Sequence, residues 1–569
     1  MAIRQRRAPA DTVLLNGTIL TVDKAFSRAK AVAMSGGRFV AVGKNAEVKK
    51  LIGPDTRVLD LAGRTVVPGF IDTHGHIGLF GLETLAVSLT GARSIPEIQQ
   101  RIASRARETA PDQWIVTLPV GDPPYFFNVP NILQENRFPH RRDLDPVSPD
   151  HPVYITAPTN RVPNSAVLNS RALQLAGITK DTPQPEHIEI VKDPDTGEPT
   201  GELRGALQPI YNPNPFFVEL TKLIPPPTYA HVREGIKRLA PDFLAGGTTT
   251  LLEAHLNSPE ELRAYAQLQA QGALPLRIFY TYEIDPHQSL ETIADYLRTV
   301  SFAAGRGFGT EQLKVVGVSI GLDGPYWHGA AVNDAPYTGP FGRKVAPEPL
   351  VSWEKYAAIL RLAAEFDLRV HAEAAGRGSI EIALRAMREA HAVTPIHDKR
   401  WVIEHVEFPT QEQIAQCRQL GVVPTTATNF IWGKGAEVYK DRLGPRYAKD
   451  AIPLRWWLDA GVPVSQSTDW GPRGALFTLW QSIARQAGLT GEVVGPAQRI
   501  SREEALRIFT NNGAYALWME DELGSIEVGK LADCVVLSDN PLKGKRDAIR
   551  DIQVDLAIVG GNVVHGECF

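Results

Sequence analysis

Cysteine is nearly absent. The chain of 569 residues has three, Cys417, Cys534 and Cys568, far apart in sequence. They fit no disulfide framework and no Cys-x-x-Cys zinc site, and a reducing cytoplasm is the simple inference. Long apolar runs are missing too: none approaches the roughly 20 residues needed to span a bilayer. The basic start, Met1-Ala2-Ile3-Arg4-Gln5-Arg6-Arg7, has no apolar core behind it and does not read as a signal peptide. Neither sign of charge dominates. A net charge of -4 with 22% charged residues points to neither nucleic acid nor anionic membrane as partner. A small-molecule substrate is the expected partner.

The chain is long enough for a large barrel plus a second domain, and 43% of it is hydrophobic. Both ends read as short β-strands. Thr12–Leu15 and Thr18–Val22 flank Asn16-Gly17, a strong hairpin signal because both turn positions tolerate positive φ. Ala31–Met34 and Phe39–Val42 flank Ser35-Gly36-Gly37, and two more strands flank Ala62-Gly63. At the far end, Ala532–Leu537 and Leu556–Val559 are apolar, and Gly560-Gly561-Asn562 turns into Val563-Val564. Few strands at either end make a marginal sheet alone, so the two ends are expected to share one small sandwich.

Between the ends lie apolar runs of strand length: Val66–Ile71, Thr248–Leu252, Leu276–Tyr282, Lys314–Leu322, Leu368–Ala372, Trp401–His405, Val422–Thr426 and Val462–Thr468. Helical periods separate most of them, among them Pro259–Gln271, Trp353–Phe366 and Thr410–Leu420. Eight strands are what a (β/α)8 barrel needs. The gap after the first is too long for one helix and reads as an insertion at about 80–245, rich in proline. The fold class expected is therefore α/β, a (β/α)8 TIM-like barrel over 66–519 with that long insertion after barrel strand one, and a small β-sandwich built from 1–65 and 520–569.

Barrel enzymes place their chemistry at the C-terminal ends of strands. Strand one ends in His74 and His76, which point to one face of an extended chain. Strand five ends Arg369-Val370-His371-Ala372-Glu373, strand six Ile403-Glu404-His405, and strand eight Ser467-Thr468-Asp469. Imidazole is the commonest biological metal ligand, and two on one face are half of a catalytic zinc site. Glu373 and Glu404 are further carboxylates at these ends, and His255 ends strand two.

Pro68-Gly69-Phe70-Ile71-Asp72-Thr73-His74-Gly75-His76 resembles the first-strand signature of the amidohydrolase superfamily, metal-dependent hydrolases on a (β/α)8 barrel. Gly524–Asp533 resembles the segment by which that family re-enters its sandwich. Asn169–Leu173, Pro199-Thr200-Gly201, Gly321-Leu322-Asp323-Gly324, Ile403-Glu404-His405 and Ser467-Thr468-Asp469 are similar to amidohydrolase family 3, which includes YtcJ-like proteins and N-substituted formamide deformylases. The resemblance implies His74, His76, His371, His405 and Asp469 as metal ligands, Asp469 also being the proton shuttle, His405 a second catalytic group that binds the ion or the oxyanion, and a homo-oligomer.

Three positions depart from the subgroup. Ser319 stands where a lysine commonly becomes a carboxylated bridge between two metals, so one divalent ion per chain, zinc above others, is expected. Asn164 replaces a histidine and Gly205 a glutamate, near loops expected to face substrate, which points to an altered substrate.

Loops after the strands carry Asp323, Trp327, His328, Phe430, Trp432 and Trp470. If these line the mouth, the pocket is apolar with few polar anchors. The reading is a metal-dependent hydrolase cleaving the C–N bond of an amide, cyclic amide or N-acyl group in an apolar or aromatic substrate. The alternatives are a deaminase or lyase on the same barrel, or a catalytically inactive binding homologue.

Overall fold

The apolar run at residues 66–71 is two strands, not one. The computed structural model describes residues 8–567 apart from 209, 212 and 257, so Met1–Arg7 and Cys568 lie outside the described residues. In it Thr65–Pro68 pairs antiparallel with Cys534–Leu537 in the sandwich, and Phe70–Gly75 begins the barrel. Gly69 divides them: a Cβ there would lie 2.0 Å from Thr249 Oγ1, so only glycine lets the chain pass so close.

The barrel strands are β1 (Phe70–Gly75), β2 (Thr248–Leu256), β3 (Arg277–Glu283), β4 (Leu313–Gly321), β5 (Val370–Ala374), β6 (Val402–His405), β7 (Val423–Thr426) and β8 (Ser465–Gln466). They pair in parallel, each with its sequence neighbour. β8 is shorter than the apolar run around it, and between β8 and β1 the barrel is closed by other bonds. Thr73 Oγ1 donates to Gln466 O at 2.8 Å, and Asp469 N to His74 O at 3.2 Å. The outer helices bury their apolar faces, and their N-termini are capped: Ser352 Oγ accepts from Lys355 N, and Thr410 forms a capping box with Gln413.

Two sheets form the sandwich. One has the order Arg38–Gly43, Ala31–Ser35, Thr12–Leu15, Arg57–Asp60. The other runs Asn562–His565, Val554–Val559, Cys534–Leu537, Thr65–Pro68, Thr18–Leu20, Arg28–Ala29. Leu14, Val32, Met34, Phe39, Val66, Val536 and Ile558 pack in one cluster between them. The hairpin at Ser35-Gly36-Gly37 forms; the one at Asn16-Gly17 does not. Thr12–Leu15 has both edges filled by Ala31–Ser35 and Arg57–Asp60, and Thr18–Leu20 pairs in the other sheet. Asn16, at φ 58°, carries the chain across, its carbonyl accepting from Gly63 N at 2.8 Å.

After β1 the chain enters a separate five-stranded sheet in the order Ile188–Lys192, Pro199–Gly205, Asn164–Leu168, Val153–Ile155, Ile115–Thr117. Asn164 and Gly205 sit directly opposite one another in it. Asn164 Nδ2 donates to Pro158 O and Leu207 O, both at 2.9 Å, and its Oδ1 accepts from Leu207 N. A Cβ on Gly205, at φ 133°, would lie 2.1 Å from His187 O. The two departures therefore have a joint structural reason: they fix the strand that leads to Gln208 and Tyr211. No helix among the described residues is long and apolar enough to cross a membrane.

Candidate metal centre

The ends of β1, β2, β5 and β6 and the turn after β8 meet in one buried cluster. His76 Nε2 is 3.3 Å from Asp469 Oδ1, and His74 Nε2 is 3.9 Å from the same oxygen. His74 Nδ1 lies 3.4 Å from Glu404 Oε2. His255 Nε2 is 3.0 Å from that oxygen, and His371 Nδ1 is 3.1 Å from Glu404 Oε1. His405 stands between Asp469 Oδ2, at 3.8 Å from its Nδ1, and Glu373 Oε1, at 3.6 Å from its Nε2.

Local sequence explains the aim of these groups. Residue alternation along β1 sends His74 and His76 the same way. Below them the Asp72 carboxylate accepts from His74 N (3.2 Å), Thr468 N (3.2 Å) and Thr468 Oγ1 (2.5 Å), tying the histidine strand to the turn that carries Asp469. Burial pushes this carboxyl up to about 7 despite those bonds. His255, His405 and Asp469 have φ of 58°, 70° and 42°. Non-glycine residues rarely hold this left-handed conformation, and it concentrates at functional sites; here it turns three side chains inward at the strand ends.

The electrostatics are those of a cluster short of positive charge. Burial pulls His74 and His371 down. Burial also opposes charge on His405, but Glu373, Asp469 and Glu404 outweigh it and lift the imidazole to about 9. Asp469 is pushed up by burial and held far below the carboxylate range by the His74, His76 and His405 imidazoles.

Hydrogen bonds do not satisfy the cluster. His74 Nδ1, His255 Nε2, His371 Nε2, Glu404 Oε2 and Asp469 Oδ1 are all buried without a partner. Buried polar atoms without partners are costly. A divalent cation removes that cost, and His74, His76 and Asp469 group closely enough to share one, as do His74, His255 and Glu404. Imidazole and carboxylate donors suit zinc and neighbouring divalent ions, so the residues present fit such a group.

A cavity of about 840 Å³ opens over the cluster. Trp327, His328, Phe430 and Trp470 line it, together with Tyr211 and Lys434. Asp323 and Trp432 do not. The Asp323 carboxylate is consumed by Val332 N, Ala375 N, Gly376 N and Ser379 Oγ at 2.8–3.0 Å, fixing the loops after β4 and β5. Trp432 packs on Phe477 and Trp480. Ser319 Oγ accepts from Thr281 Oγ1 at 3.1 Å, and Lys314 stands at the opposite end of β4, near Arg369 and Arg306.

The expectation of few polar anchors is not met: Gln208, Glu261, His287 and Glu407 line the cavity, as do Tyr211 and Lys434. Tyr211 donates its hydroxyl to Glu373 Oε1 at 2.6 Å from the loop after the inserted sheet. Lys434, fully buried, donates to Glu407 Oε1 at 2.7 Å and lies 3.6 Å from the ring centroids of Trp327 and Phe430. Neither belongs to a motif. The strand-end rule reaches His255 and Glu404, but not their burial around one centre.

Sequence and structure comparisons agree with this geometry. The amidohydrolase family profile matches residues 57–565. The N-substituted formamide deformylase of Arthrobacter pascens is 28% identical over 565 residues, 97% of each chain. The putative amidohydrolase YtcJ of Bacillus subtilis (strain 168) is 26% identical over 96% of this chain and 98% of its own. An uncharacterized metal-dependent hydrolase from Pyrococcus furiosus shares the fold, with a TM-score of 0.71 at 23% identity over 94% of this chain and all of that one. The chain belongs to the amidohydrolase family, and it is an enzyme, an amidohydrolase.

Proposed function

We propose that this enzyme hydrolyses the C–N bond of an N-acyl or N-formyl amine whose nitrogen substituent is apolar or aromatic. The observation that carries the reading is Asp469. Its Oδ1 faces His76 at 3.3 Å without a hydrogen bond, and its Oδ2 faces His405 at 3.8 Å under the cavity. His74, His76 and Asp469 would hold a divalent ion, zinc by the chemistry of its donors, with His371 and His405 beside it. When bound, such an ion lowers the pKa of a water toward about 7 and polarises a carbonyl.

The side chains divide the remaining work. Asp469 Oδ2, at the cavity floor, takes the proton of the attacking water and returns it to the leaving nitrogen. His405, held between Glu373 and Asp469, carries the positive charge that offsets the negative charge developing on the carbonyl oxygen. Trp327, Phe430 and Trp470 form the apolar wall for the amine substituent. The 28% identity to a deformylase supports the choice of acyl amines.

A panel of N-formyl and N-acetyl aryl and alkyl amines, assayed for amine release with the zinc-loaded chain, tests this. Turnover is expected for apolar amines, with Asp469→Asn lowering kcat at least about 10³-fold, the order of a lost proton-transfer group. Release of ammonia from a ring carbon instead, or full activity in Asp469→Asn, contradicts it.

A further inference from the structure

A second cavity lies behind the histidine cluster. It spans about 590 Å³ between the helices Pro259–Ala270 and Leu290–Val300 and the end of β3, the size of a small-molecule site. Glu283, the last residue of β3, lines both this cavity and the one over the cluster. Its Oε2 accepts from His255 Nδ1 at 2.7 Å, and no described residue donates to its Oε1.

The walls select one kind of ligand. Leu262, Ile293 and Val300 make them apolar. Tyr282 and Tyr296 meet at 84° with ring centroids 6.4 Å apart, and Phe302 adds a third ring. Ser258, Gln288, Thr292 and Thr299 already hydrogen-bond within their own loops and helices. Asp285 accepts from His287 N and Gln288 Nε2, both at 2.9 Å. Arg263 is the cation of this wall among the described residues, but its guanidinium lies 4.5 Å from the ring centroid of Tyr229, which is not part of the wall. What remains is an apolar, ring-lined space with one carboxylate oxygen short of a donor. Aromatic faces attract cations, and a carboxylate held away from water is costly until a cation meets it. A neutral or anionic apolar molecule leaves Glu283 unmet.

We propose that this cavity binds an apolar alkyl- or benzylammonium ion, its charged nitrogen on Glu283 Oε1 and its substituent among the rings. Such an ion pair draws the Glu283 carboxylate toward the outer cavity and weakens its hold on His255. The occupant is then felt at the cluster without entering it, because it binds more tightly when Glu283 is turned outward than when Glu283 holds His255. The amine released by the hydrolysis proposed above is of this class, which makes the cavity a site of product feedback. That match rests on the hydrolase reading; the binding site does not.

Calorimetric titration of the full chain with benzylammonium tests the site. Saturable binding is expected that Ala266→Trp removes, since Ala266 is exposed on the wall and a bulky ring there fills the space. Benzyl alcohol, of similar shape without the charge, should bind at least about tenfold more weakly. In hydrolysis assays benzylammonium should lower kcat several-fold with KM unchanged. Ala266→Trp should hydrolyse like the wild type and lose this inhibition. No saturable binding, equal binding of benzyl alcohol, or binding that Ala266→Trp leaves intact overturns the proposal. Competitive inhibition that survives Ala266→Trp puts the ion in the catalytic cavity and overturns it too. If no acyl amine is hydrolysed, the titration alone decides, so failure of the hydrolase reading and failure of this site are told apart. If Ala266→Trp does not fold by circular dichroism, Thr299→Trp on the facing helix takes its place.

Discussion

Two buried sets of charges in this molecule are built in opposite ways. At the joint between barrel and sandwich, Arg277 Nε and Nη2 donate to Asp533 at 2.7 and 2.9 Å, Nη1 donates to Glu311 O at 3.0 Å, and Asp533 Oδ1 also accepts from Gly560 N at 2.8 Å. This pair is saturated from within the chain. At the C-terminal mouth of the same barrel, five buried nitrogen and oxygen atoms have no partner. The first arrangement is complete as folded and positions two parts of the chain. The second is incomplete without something from outside. The difference separates a structural ion pair from a site more clearly than burial or charge alone.

Breaking the saturated pair gives the largest expected change in stability. Arg277→Met leaves the Asp533 carboxylate buried without its cation, and should lower unfolding stability by about 3–5 kcal/mol. Denaturant unfolding measures this, and adding Asp533→Leu should recover part of the loss. Hydrolysis per folded molecule should be unchanged, because neither residue reaches the cavity. Equal losses in the single and double variants would mean that the pair does not act as a closed unit.

A smaller effect marks a pair between these extremes. Arg400 donates to Glu520 at 2.7 and 2.5 Å near the surface. Burial pushes the Glu520 carboxyl up, but Arg400 outweighs it and holds the group below its ordinary value of 4.5. Its folded value is therefore below the unfolded one. The contribution is fully present above about pH 4.5 and is lost as pH falls through the folded value. Arg400→Gln should cost about 1 kcal/mol or less at neutral pH. It should also flatten the dependence of stability on pH in the acid range, read from unfolding curves. An unchanged slope would show that the pair contributes nothing.

The same contrast shows what the sequence makes legible. All eight barrel strands stand out as apolar runs, because each is buried on both faces. His74, His76, His371, His405 and Asp469 follow from the rule that strand ends carry the chemistry. The failures share a cause, since each depends on a partner far away in sequence. Asn16-Gly17 signals a turn, but the other strands decide which edges remain free to pair. Gly69 separates two strands because Thr249 packs against it. Asp323 lies in a motif, yet four donors from distant loops consume it.

The central claim is that the unpaired atoms at the barrel mouth are cation ligands. Anomalous diffraction at the zinc absorption edge from crystals of the zinc-loaded chain tests it most directly. The account expects a peak within coordination distance, about 2.0–2.2 Å, of the ligand atoms of His74, His76 and Asp469. A zinc-loaded crystal with no peak in this cluster, its histidines and carboxylates instead bonded to one another, would contradict it.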